Sequence, residues 1–427
     1  MPDEPGDFSS LGTPEPIVRA LRTLGITVPT PVQAATLPDA FAGADVLSQA
    51  PTGSGKTLAF GIPLVARLLD SGAARVGKPH GLIIAPTREL ADQIADVLAD
   101  VGTAAGLRVL SFVGGDSVRS QRTQLASPVD IAVVTPGRAH DLRRRGLLDF
   151  SEVRAVVIDE ADTLAELGFL PDVRGLLRAC PRQAQRLVFS ATLNDDAAAL
   201  IRDRRQVAAP VASHRLSQSL VSLDRVEHVE LRVSDNAAAD EVIAWIASRQ
   251  SQCVIFANSK ARVVQLAKFL SFYDISLGFL HGDRGQATRR SVLAAFANGE
   301  LNVLIATDIA ARGIDIDSLD LVVHADLPSD PATYVHRSGR TARAGASGQV
   351  AVVVRDREVE AAQALFEQVG AQVTTLRAGP GLPKFIKATG ARRPRRSREA
   401  LRAQGPKKPQ SRGGRVHRPK RTKRKKS

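Results

Sequence analysis

Three carboxylates follow directly on an apolar run near the middle of the chain. The run 156–158 (Val-Val-Ile) is succeeded by Asp159, Glu160 and Asp162. A short β-branched run predicts a buried parallel strand, and α/β proteins bind their ligands outside the carboxyl ends of such strands. Carboxylates at that place could hold a cation or activate a water. An ordinary solvated acidic loop is the alternative, so the choice depends on the rest of the chain.

A glycine-rich loop between a strand and a helix supplies a partner for these acids. The segment 50–57 (Ala-Pro-Thr-Gly-Ser-Gly-Lys-Thr) follows a predicted strand at 45–48 and precedes an apolar helix at 58–69. This context is typical of a phosphate-binding loop, in which Lys56 reaches the β- and γ-phosphates and the Thr57 hydroxyl ligates Mg²⁺. Asp159 is then placed like the carboxylate that holds Mg²⁺ through its water shell. The residues predicted to bind phosphate are Thr52, Gly53, Ser54, Gly55, Lys56 and Thr57.

A cluster of arginines lies far along the chain from the phosphate loop. The segment 336–343 contains Arg340 and Arg343, which are three residues apart and share a face if the segment is helical. Guanidinium forks suit the oxygens of a transferring γ-phosphate. A solvated basic face is the alternative, but the phosphate loop elsewhere in the chain favours arginine fingers.

The elements that must position these residues alternate between strand and helix. In the first half, further strands are predicted at 81–85, 109–113, 130–134 and 186–189, with polar or small residues at their ends. Such alternation predicts a parallel, doubly wound α/β sheet. The second half repeats the pattern without a second phosphate loop, with predicted strands at 226–232, 253–257, 276–279, 303–306, 319–324 and 348–354.

Length and charge set the domain organisation. A chain of 427 residues is too long for a single core. The formal charge of +14 is concentrated in residues 377–427, which hold 20 Lys and Arg residues and one Glu. Such a segment cannot bury a hydrophobic core, so its composition predicts that it is disordered. Its positive charge favours a polyanionic partner such as nucleic acid. The predicted organisation is a nucleotide-binding domain over 1–204, a linker over 205–222, a second α/β domain over 223–376 and a disordered basic tail over 377–427.

Nothing in the sequence predicts membrane insertion or secretion. No run of about 18 apolar residues is present. The N-terminus is acidic and lacks the apolar stretch of a signal peptide. Cys180 and Cys253 lie far apart in apolar contexts, which is typical of reduced core residues. We therefore expect a cytoplasmic protein.

These motifs together resemble a known family. The chain resembles DEAD-box ATP-dependent RNA helicases of superfamily 2, in particular compact bacterial members, over residues 8–376. The resemblance implies two tandem RecA-like domains with parallel sheets flanked by helices. It rests on APTGSGKT at 50–57, PTREL at 86–90, TPGR at 135–138, DEAD at 159–162, SAT at 190–192, QxxR at 286–289, ATDIAARGID at 306–315 and HRSGRTAR at 336–343.

The resemblance implies roles for individual residues around ATP and Mg²⁺. Glu160 would act as the base toward the attacking water, beside the Mg²⁺-orienting Asp159. The adenine base would be read by Phe8, Thr30, Pro31 and Gln33, with Ile26 where the family usually has a stacking aromatic. Gly313 and Asp315 would close on the nucleotide from the second domain, together with the fingers Arg340 and Arg343. Ser338 and Ala342 also depart from the usual aliphatic residue and glycine of the finger segment.

The resemblance also implies an RNA path and a coupling set. Domain coupling would involve Asp162, Ser190, Thr192 and His336. The RNA backbone would be contacted by Pro86, Thr87, Arg88, Gly115, Thr135, Gly137, Arg138, Asn258, Gly282, Thr307 and Arg312.

The implied function is an RNA-dependent ATPase that locally unwinds short RNA duplexes or remodels RNA–protein complexes. It would work as a monomer with little sequence preference, on assemblies such as ribosomal precursors or mRNA-decay complexes. An ATP-dependent RNA clamp or scaffold with little unwinding, and a DNA helicase of the same superfamily, remain open alternatives.

Overall fold

The computed structural model of the protein describes residues 6–50, 53–192, 195–203, 210–215, 226–282, 286–308, 319–341 and 348–397. Residues 398–427 lie outside these ranges. So do six residues that the sequence singled out, namely Thr52, Arg312, Gly313, Asp315, Ala342 and Arg343.

The first half of the chain forms a seven-stranded parallel sheet with helices between its strands. In chain order the elements are α1 (Glu15–Thr23), α2 (Pro31–Phe41), β1 (Asp45–Gln49), α3 (Lys56–Leu68), β2 (Gly81–Ile84), α4 (Arg88–Ala104), β3 (Val109–Phe112), α5 (Val118–Gln124), β4 (Ile131–Val134), α6 (Pro136–Arg144), β5 (Ala155–Ile158), α7 (Ala161–Glu166), α8 (Leu170–Ala179), β6 (Gln185–Ser190), α9 (Asp195–Arg202) and β7 (Val211–Arg215). The strand order is β3-β4-β2-β5-β6-β1-β7.

The second half forms a sheet of the same topology. Its elements are β8 (Val226–Val233), α10 (Asn236–Ala247), β9 (Cys253–Phe256), α11 (Lys260–Leu270), β10 (Leu277–Leu280), α12 (Gln286–Ala297), β11 (Val303–Ala306), β12 (Leu321–His324), α13 (Pro331–Ser338), β13 (Gly348–Arg355), α14 (Val359–Val369), β14 (Val373–Arg377) and α15 (Pro383–Thr389). The order β10-β11-β9-β12-β13-β8-β14 repeats that of the first sheet position by position. The predicted fold class, two tandem parallel α/β units, is therefore confirmed.

The register of the first sheet brings the phosphate loop and the predicted catalytic carboxylates to one edge of the sheet. Strand β5 is buried along its whole length, which explains its β-branched sequence, and it lies beside β6 in the middle of the sheet. Ile158 pairs with Val188, and Gln49 of β1 pairs with Ser190 of β6. Since all three strands are parallel, the phosphate loop, the acids from Asp159 onward and the segment from Ser190 leave the sheet side by side.

The predicted linker over 205–222 was wrong in part. Residues Val211–Arg215 form strand β7, which pairs with β1 in parallel along its full length. Its exposure alternates between exposed and half-buried residues, because it forms the edge of the sheet. A strand that buries little apolar surface has no apolar run in its sequence, so the composition resembled a linker.

The predicted start of the disordered tail at residue 377 was also wrong. Strand β14 ends at Arg377 and pairs with β8, and helix α15 follows. Phe385 of this helix is fully buried in the second core, and Ala391 is 2% exposed. The ordered second domain therefore extends to at least Ser397, because its apolar residues at 385 and 391 complete a core that the strands alone leave open.

No helix among the described residues is long and apolar enough to cross a membrane.

Two buried histidines of the second sheet, His228 of β8 and His324 of β12, predict how the stability of the second domain depends on pH. The Nδ1 atom of His228 lies 2.6 Å from the Tyr334 hydroxyl, and burial lowers the pKa of His228 from 6.5 to about 4. Burial also lowers the pKa of His324, which stacks on Tyr334. As pH falls below 6.5, His228 becomes protonated in the unfolded chain, whereas in the folded domain it stays neutral down to about pH 4. Its contribution to the free energy of unfolding is therefore fully present above pH 6.5 and is lost as pH falls towards 4.

We expect the free energy of unfolding of the second domain to fall by on the order of 2 kcal/mol between pH 7.5 and pH 5 through His228. Urea unfolding followed by the fluorescence of Trp245, the chain's single tryptophan, measures this domain. His228→Gln, which keeps a polar group toward Tyr334 but does not titrate, should lose less stability over the same interval. An equal loss in both proteins would contradict this account.

Candidate functional site

The phosphate loop turns through two glycines with left-handed backbone. Gly53 has φ 81° and Gly55 has φ 90°, and helix α3 begins at Lys56 directly afterwards. Side-chain-bearing residues rarely adopt such angles. A Cβ atom at Gly55 would also lie 2.7 Å from Gln33 Nε2 and 2.8 Å from Thr30 Oγ1. Glycine is therefore required at residue 55 on both counts.

Lys56 and Asp159 face each other across the base of the loop. Lys56 Nζ lies 3.9 Å from Asp159 Oδ1, and both side chains are almost fully buried. Burial raises the pKa of Asp159 to about 6; the Lys56 charge opposes this shift and the Glu160 charge adds to it. The separation is longer than a direct hydrogen bond, and Lys56 Nζ has no hydrogen-bond partner among the described residues. The Lys56 ammonium group can therefore still donate hydrogen bonds to a further anion.

Glu160 stands in an unusual backbone conformation. Its φ of 48° makes it the one described residue other than glycine with a left-handed backbone. Its N–H donates to Asp159 Oδ1 over 2.9 Å, and it precedes helix α7. The side chain is 7% exposed, and within the described part of the chain its Oε2 atom accepts no hydrogen bond. Strain of this kind persists where the surroundings hold a residue in place, often at functional sites.

Asp162 ties the acidic strand end to the neighbouring strand. One of its oxygens, Oδ2, accepts hydrogen bonds from the backbone N–H groups of Ala191 (3.1 Å) and Thr192 (3.0 Å) and from the Thr192 hydroxyl. In return the Ser190 hydroxyl accepts from the Asp162 N–H over 3.2 Å. The Asp162 carboxylate thus joins the end of β5 to the end of β6 through its hydrogen bonds. Glu160 differs from it, because its Oε2 atom accepts no hydrogen bond from the described residues.

Gln33 connects the start of helix α2 to the phosphate loop. Its Oε1 atom accepts from the Thr30 N–H (2.9 Å), and its Nε2 atom donates to the Gly55 carbonyl (3.0 Å). Each amide atom keeps one further hydrogen-bonding position. Phe8 is 2% exposed within the hydrophobic core, and Ile26 packs against the same core. Phe8 and Ile26 thus support the segment that carries Thr30, Pro31 and Gln33.

These residues fit a nucleoside triphosphate with Mg²⁺. Lys56 Nζ is a buried cation that faces Asp159 at 3.9 Å and has no hydrogen-bond partner among the described residues. Glu160 offers a buried acceptor that has no protein donor among the same residues. Thr57 is half-buried at the first turn of α3. Among the described residues there is no cluster of three His, Cys, Asp or Glu side chains that could hold a metal. Mg²⁺ is commonly held by one or two protein groups together with substrate phosphates, as Thr57 and Asp159 would do.

The arginine segment begins on helix α13 in the second domain. His336 is half-buried on this helix, and Arg340, two residues beyond its end, is 6% exposed. Ser338, which replaces a usual aliphatic residue, is fully buried beside the Tyr334 hydroxyl.

The sequence did not assign a role to Arg337, which organises this edge of the second domain. Its guanidinium binds both carboxylate oxygens of Asp308 (2.5 and 2.7 Å) and the Asn258 side-chain oxygen (2.7 Å). It also lies over the ring of Phe256, 5.5 Å from its centroid. Arg337 is 2% exposed and thereby fixes three strand ends, after β9, β11 and β12. The one feature of the sequence that could have indicated a role for Arg337 is its position between His336 and the predicted finger Arg340.

A cavity of about 440 Å³ runs between the two domains. First-domain residues form most of it, and Gly282 and Arg289 contribute from the second domain. Leu167 and Phe169 supply an apolar wall. Seven residues predicted to contact RNA line it: Pro86, Thr87, Arg88, Thr135, Gly137, Arg138 and Gly282.

The other predicted RNA residues within the described ranges lie outside this lining. A Cβ atom at Gly115, which has φ 90°, would lie 2.3 Å from Arg88 Nη1. The absence of a side chain at Gly115 therefore leaves room for the Arg88 guanidinium. Asn258 is engaged by Arg337, and the Thr307 N–H donates to the Leu280 carbonyl over 3.4 Å.

Two arginines of the second domain form ion pairs with the first domain beside the cavity. Arg289 Nε donates to Glu89 Oε1 over 2.6 Å, and both side chains are less than 10% exposed. Arg290 binds Asp92 over 2.7 Å and is 55% exposed. The first pair joins Arg289 of the QxxR motif to Glu89 of the PTREL motif, and the sequence alone did not predict this contact. The domains are therefore in a closed arrangement.

Fold and site together define a two-domain nucleoside triphosphatase of the phosphate-loop class, with a groove across both domains. The DEAD/DEAH box helicase family matches residues 30–200, and the helicase conserved C-terminal domain matches residues 236–345. The chain is 35% identical over 357 residues to the DEAD-box ATP-dependent RNA helicase CshA of Geobacillus kaustophilus, covering 82% of this chain and 74% of that protein. The chain therefore belongs to the DEAD-box helicase family.

The chain spans 65–74% of the length of the curated CshA proteins of Geobacillus and Bacillus that it matches. Among solved structures, S. cerevisiae Dbp5 bound to RNA and ADP BeF3 matches with a TM-score of 0.77 and 26% identity, over 87% of this chain and 95% of that one. A Dbp5 variant bound to gle1 and ip6 matches at 0.69 and 25% identity, over 89% and 96%.

Proposed function

We propose that this protein is an RNA-dependent ATPase that opens short RNA duplexes locally or remodels RNA–protein complexes. The observation that carries the proposal is the cavity between the domains, because seven of the residues expected to contact RNA line it. Six of them come from the first domain, which also carries Lys56 and Glu160, and Gly282 comes from the second. Membership of the DEAD-box family and the similarity to an RNA-bound relative support the same function.

The residues divide the chemistry between the two domains. Lys56 and the loop from Thr52 to Thr57 hold the phosphates, and Gln33 with Thr30 and Pro31 reads the adenine. Thr57, and Asp159 through water, would hold Mg²⁺, which when bound would supply neutralisation of the phosphate charge. Glu160 accepts the proton of the attacking water, and its otherwise unpaired Oε2 suits that role. The second domain contributes Arg340 and Arg343 to the γ-phosphate and Gly313 and Asp315 to the closed site.

Closure couples the nucleotide to RNA. Each domain alone holds only part of the ATP site and part of the groove, so both ligands favour the arrangement in which Arg289 pairs with Glu89. Binding of one should therefore tighten binding of the other. The residues of this lining that are expected to contact RNA are small, hydroxyl, proline and arginine residues, with no Asn or Gln amide among them, which supports recognition of the RNA backbone with little sequence preference.

We propose further that the protein acts in the cytoplasm as a monomer, on RNA assemblies such as ribosomal precursors or mRNA-decay complexes. Two buried free cysteines support a reducing compartment.

Steady-state ATP hydrolysis by the full chain tests the proposal, with single-stranded RNA, with single-stranded DNA of the same sequence, and with neither. We expect stimulation by RNA and strand separation of a short RNA duplex. Stimulation by DNA alone would favour a DNA helicase. RNA-stimulated hydrolysis without strand separation would favour an ATP-dependent clamp.

A further inference from the structure

A second cavity of about 440 Å³ lies on the second domain, away from the ATP site. Helix α10 contributes Glu241 and Trp245, the turn after α11 contributes Tyr273, and the C-terminal segment 378–397 contributes Pro380, Arg393 and Pro394. None of these residues belongs to a motif that the proposed function uses.

The cavity lies at the opposite edge of the second sheet from the RNA groove. Trp245 is near the end of α10, where the chain returns to the start of β9, and Tyr273 lies shortly before β10. In a parallel α/β sheet the residues that lead into strands lie at the amino ends, whereas Gly282 and Arg337 follow or face the carboxyl ends. A ligand in this cavity would therefore be separate from one in the groove.

The C-terminal segment forms a fixed wall of the cavity. The Arg392 N–H donates to the Trp245 carbonyl over 2.9 Å, and the Arg395 carbonyl accepts from the Asp274 N–H over 2.7 Å. The Ser397 N–H donates to the Phe272 carbonyl over 2.9 Å. Phe385 of the same segment is fully buried in the second core, and Arg393 lines the cavity together with Trp245 and Tyr273. Of the four arginines at residues 392, 393, 395 and 396, Arg393 lines the cavity, and the other three are exposed on the same segment.

The composition of the wall suits one class of ligand. Planar rings with arginine beside them bind nucleobases by stacking, and the arginine also meets phosphate. The chain beyond this wall, residues 398–427, carries 13 Lys and Arg residues and one Glu, which concentrates a polyanion at this place.

We propose that this cavity is a second RNA site, which takes an unpaired base of single-stranded RNA between Trp245, Tyr273 and Arg393. The proposal rests on the proposed function in that RNA is the ligand, but it adds a site independent of the groove. Glu241 lies one helical turn before Trp245 on the same face of α10. Its carboxylate accepts hydrogen bonds, so it favours guanine, which offers two adjacent N–H groups, over uracil, whose single N–H lies between two carbonyls.

Such a site would keep RNA attached to the second domain after the groove opens. The groove needs both domains, whereas every wall of this cavity belongs to the second. The protein could therefore release a strand from the groove without losing the RNA molecule.

Trp245 is the only tryptophan in the chain, so its fluorescence reports this cavity directly. The full-length protein, without nucleotide, is titrated with the RNA hexamers GAGAGA and UUUUUU. We expect the purine hexamer to change Trp245 emission at about tenfold lower concentration, and Arg393→Ala to weaken its binding about tenfold. Glu241→Gln should reduce the preference between the hexamers to less than about threefold. Arg178→Ala, which removes an exposed charge from α8 of the first domain, is the charge-matched control.

Three outcomes would overturn the inference. The first is unchanged Trp245 emission with both hexamers while RNA still stimulates ATP hydrolysis; loss of that stimulation would instead count against the proposed function. The second is an emission change that disappears in the groove variant Arg138→Ala, which would assign it to the groove. The third is complete protection of Trp245 from acrylamide before RNA is added, which would mean that residues 398–427 fill the cavity.

Discussion

Glu160→Gln is expected to reduce RNA-stimulated ATP hydrolysis by about 10²- to 10⁴-fold, the usual contribution of a general base. The substitution keeps the size of the side chain and its hydrogen-bonding oxygen but cannot accept the proton of the attacking water. Glu160 also holds a left-handed backbone, and glutamine meets the same backbone cost as glutamate there. ATP and RNA should therefore still bind, and the closed complex should accumulate instead of turning over.

The measurement is single-turnover hydrolysis together with the affinities for ATP and RNA. Glu166→Gln is the matched control, because Glu166 is exposed on the same helix α7, and its turnover should stay within about twofold of wild type. Turnover of Glu160→Gln at the wild-type rate would remove Glu160 from the role of base. A parallel loss of ATP affinity would show that the residue shapes the site instead.

Arg289→Ala is expected to weaken RNA binding in the presence of an ATP analogue on the order of 10²-fold. The Arg289–Glu89 pair is buried, and removal of one partner from such a pair costs about 3–5 kcal/mol because the other charge is left buried and unpaired. That penalty applies only when the domains close. Binding of ATP to the open protein and the unfolding of each domain should change little.

Two further variants separate closure from direct contact with RNA. Arg290→Ala removes the neighbouring cross-domain ion pairs with Asp92 and Asp116. Because Arg290 is 55% exposed, such pairs contribute about 0–1 kcal/mol, and the effect should stay below about fivefold. Glu89→Gln added to Arg289→Ala removes the stranded charge and should restore part of the affinity. If Arg289 acted only by touching RNA, the second substitution would restore nothing.

Buried strands of the fold could be predicted from the sequence, and half-exposed edge strands could not. Strands such as β5 and β9 are buried throughout and carry unbroken apolar runs. The strands β7 and β14 occupy the same edge position in the two sheets, and their half-exposed sequences resemble a linker and the start of a tail. Their positions are set by pairing with β1 and β8, which is not a local property of their residues.

The candidate site divides in the same way. Motif residues such as Lys56, Asp159 and Glu160 could be predicted, because their chemistry requires those residue types at those spacings. The left-handed backbone of Glu160 and the pair between Glu89 and Arg289 arise from tertiary contacts between segments far apart in sequence. Arg337 was hidden inside a recognised motif, and only its contacts with Asp308 and Asn258 reveal its function in the second domain.

The central claim is that ATP and RNA bind one closed arrangement of the two domains. The affinity of the full chain for a fluorescent single-stranded RNA, with and without a non-hydrolysable ATP analogue and Mg²⁺, tests it most directly. We predict that the analogue tightens RNA binding by about 5- to 150-fold, the range of coupling free energies of about 1–3 kcal/mol, and that RNA tightens the analogue by the same factor. Equal RNA affinity with and without the analogue would contradict the account.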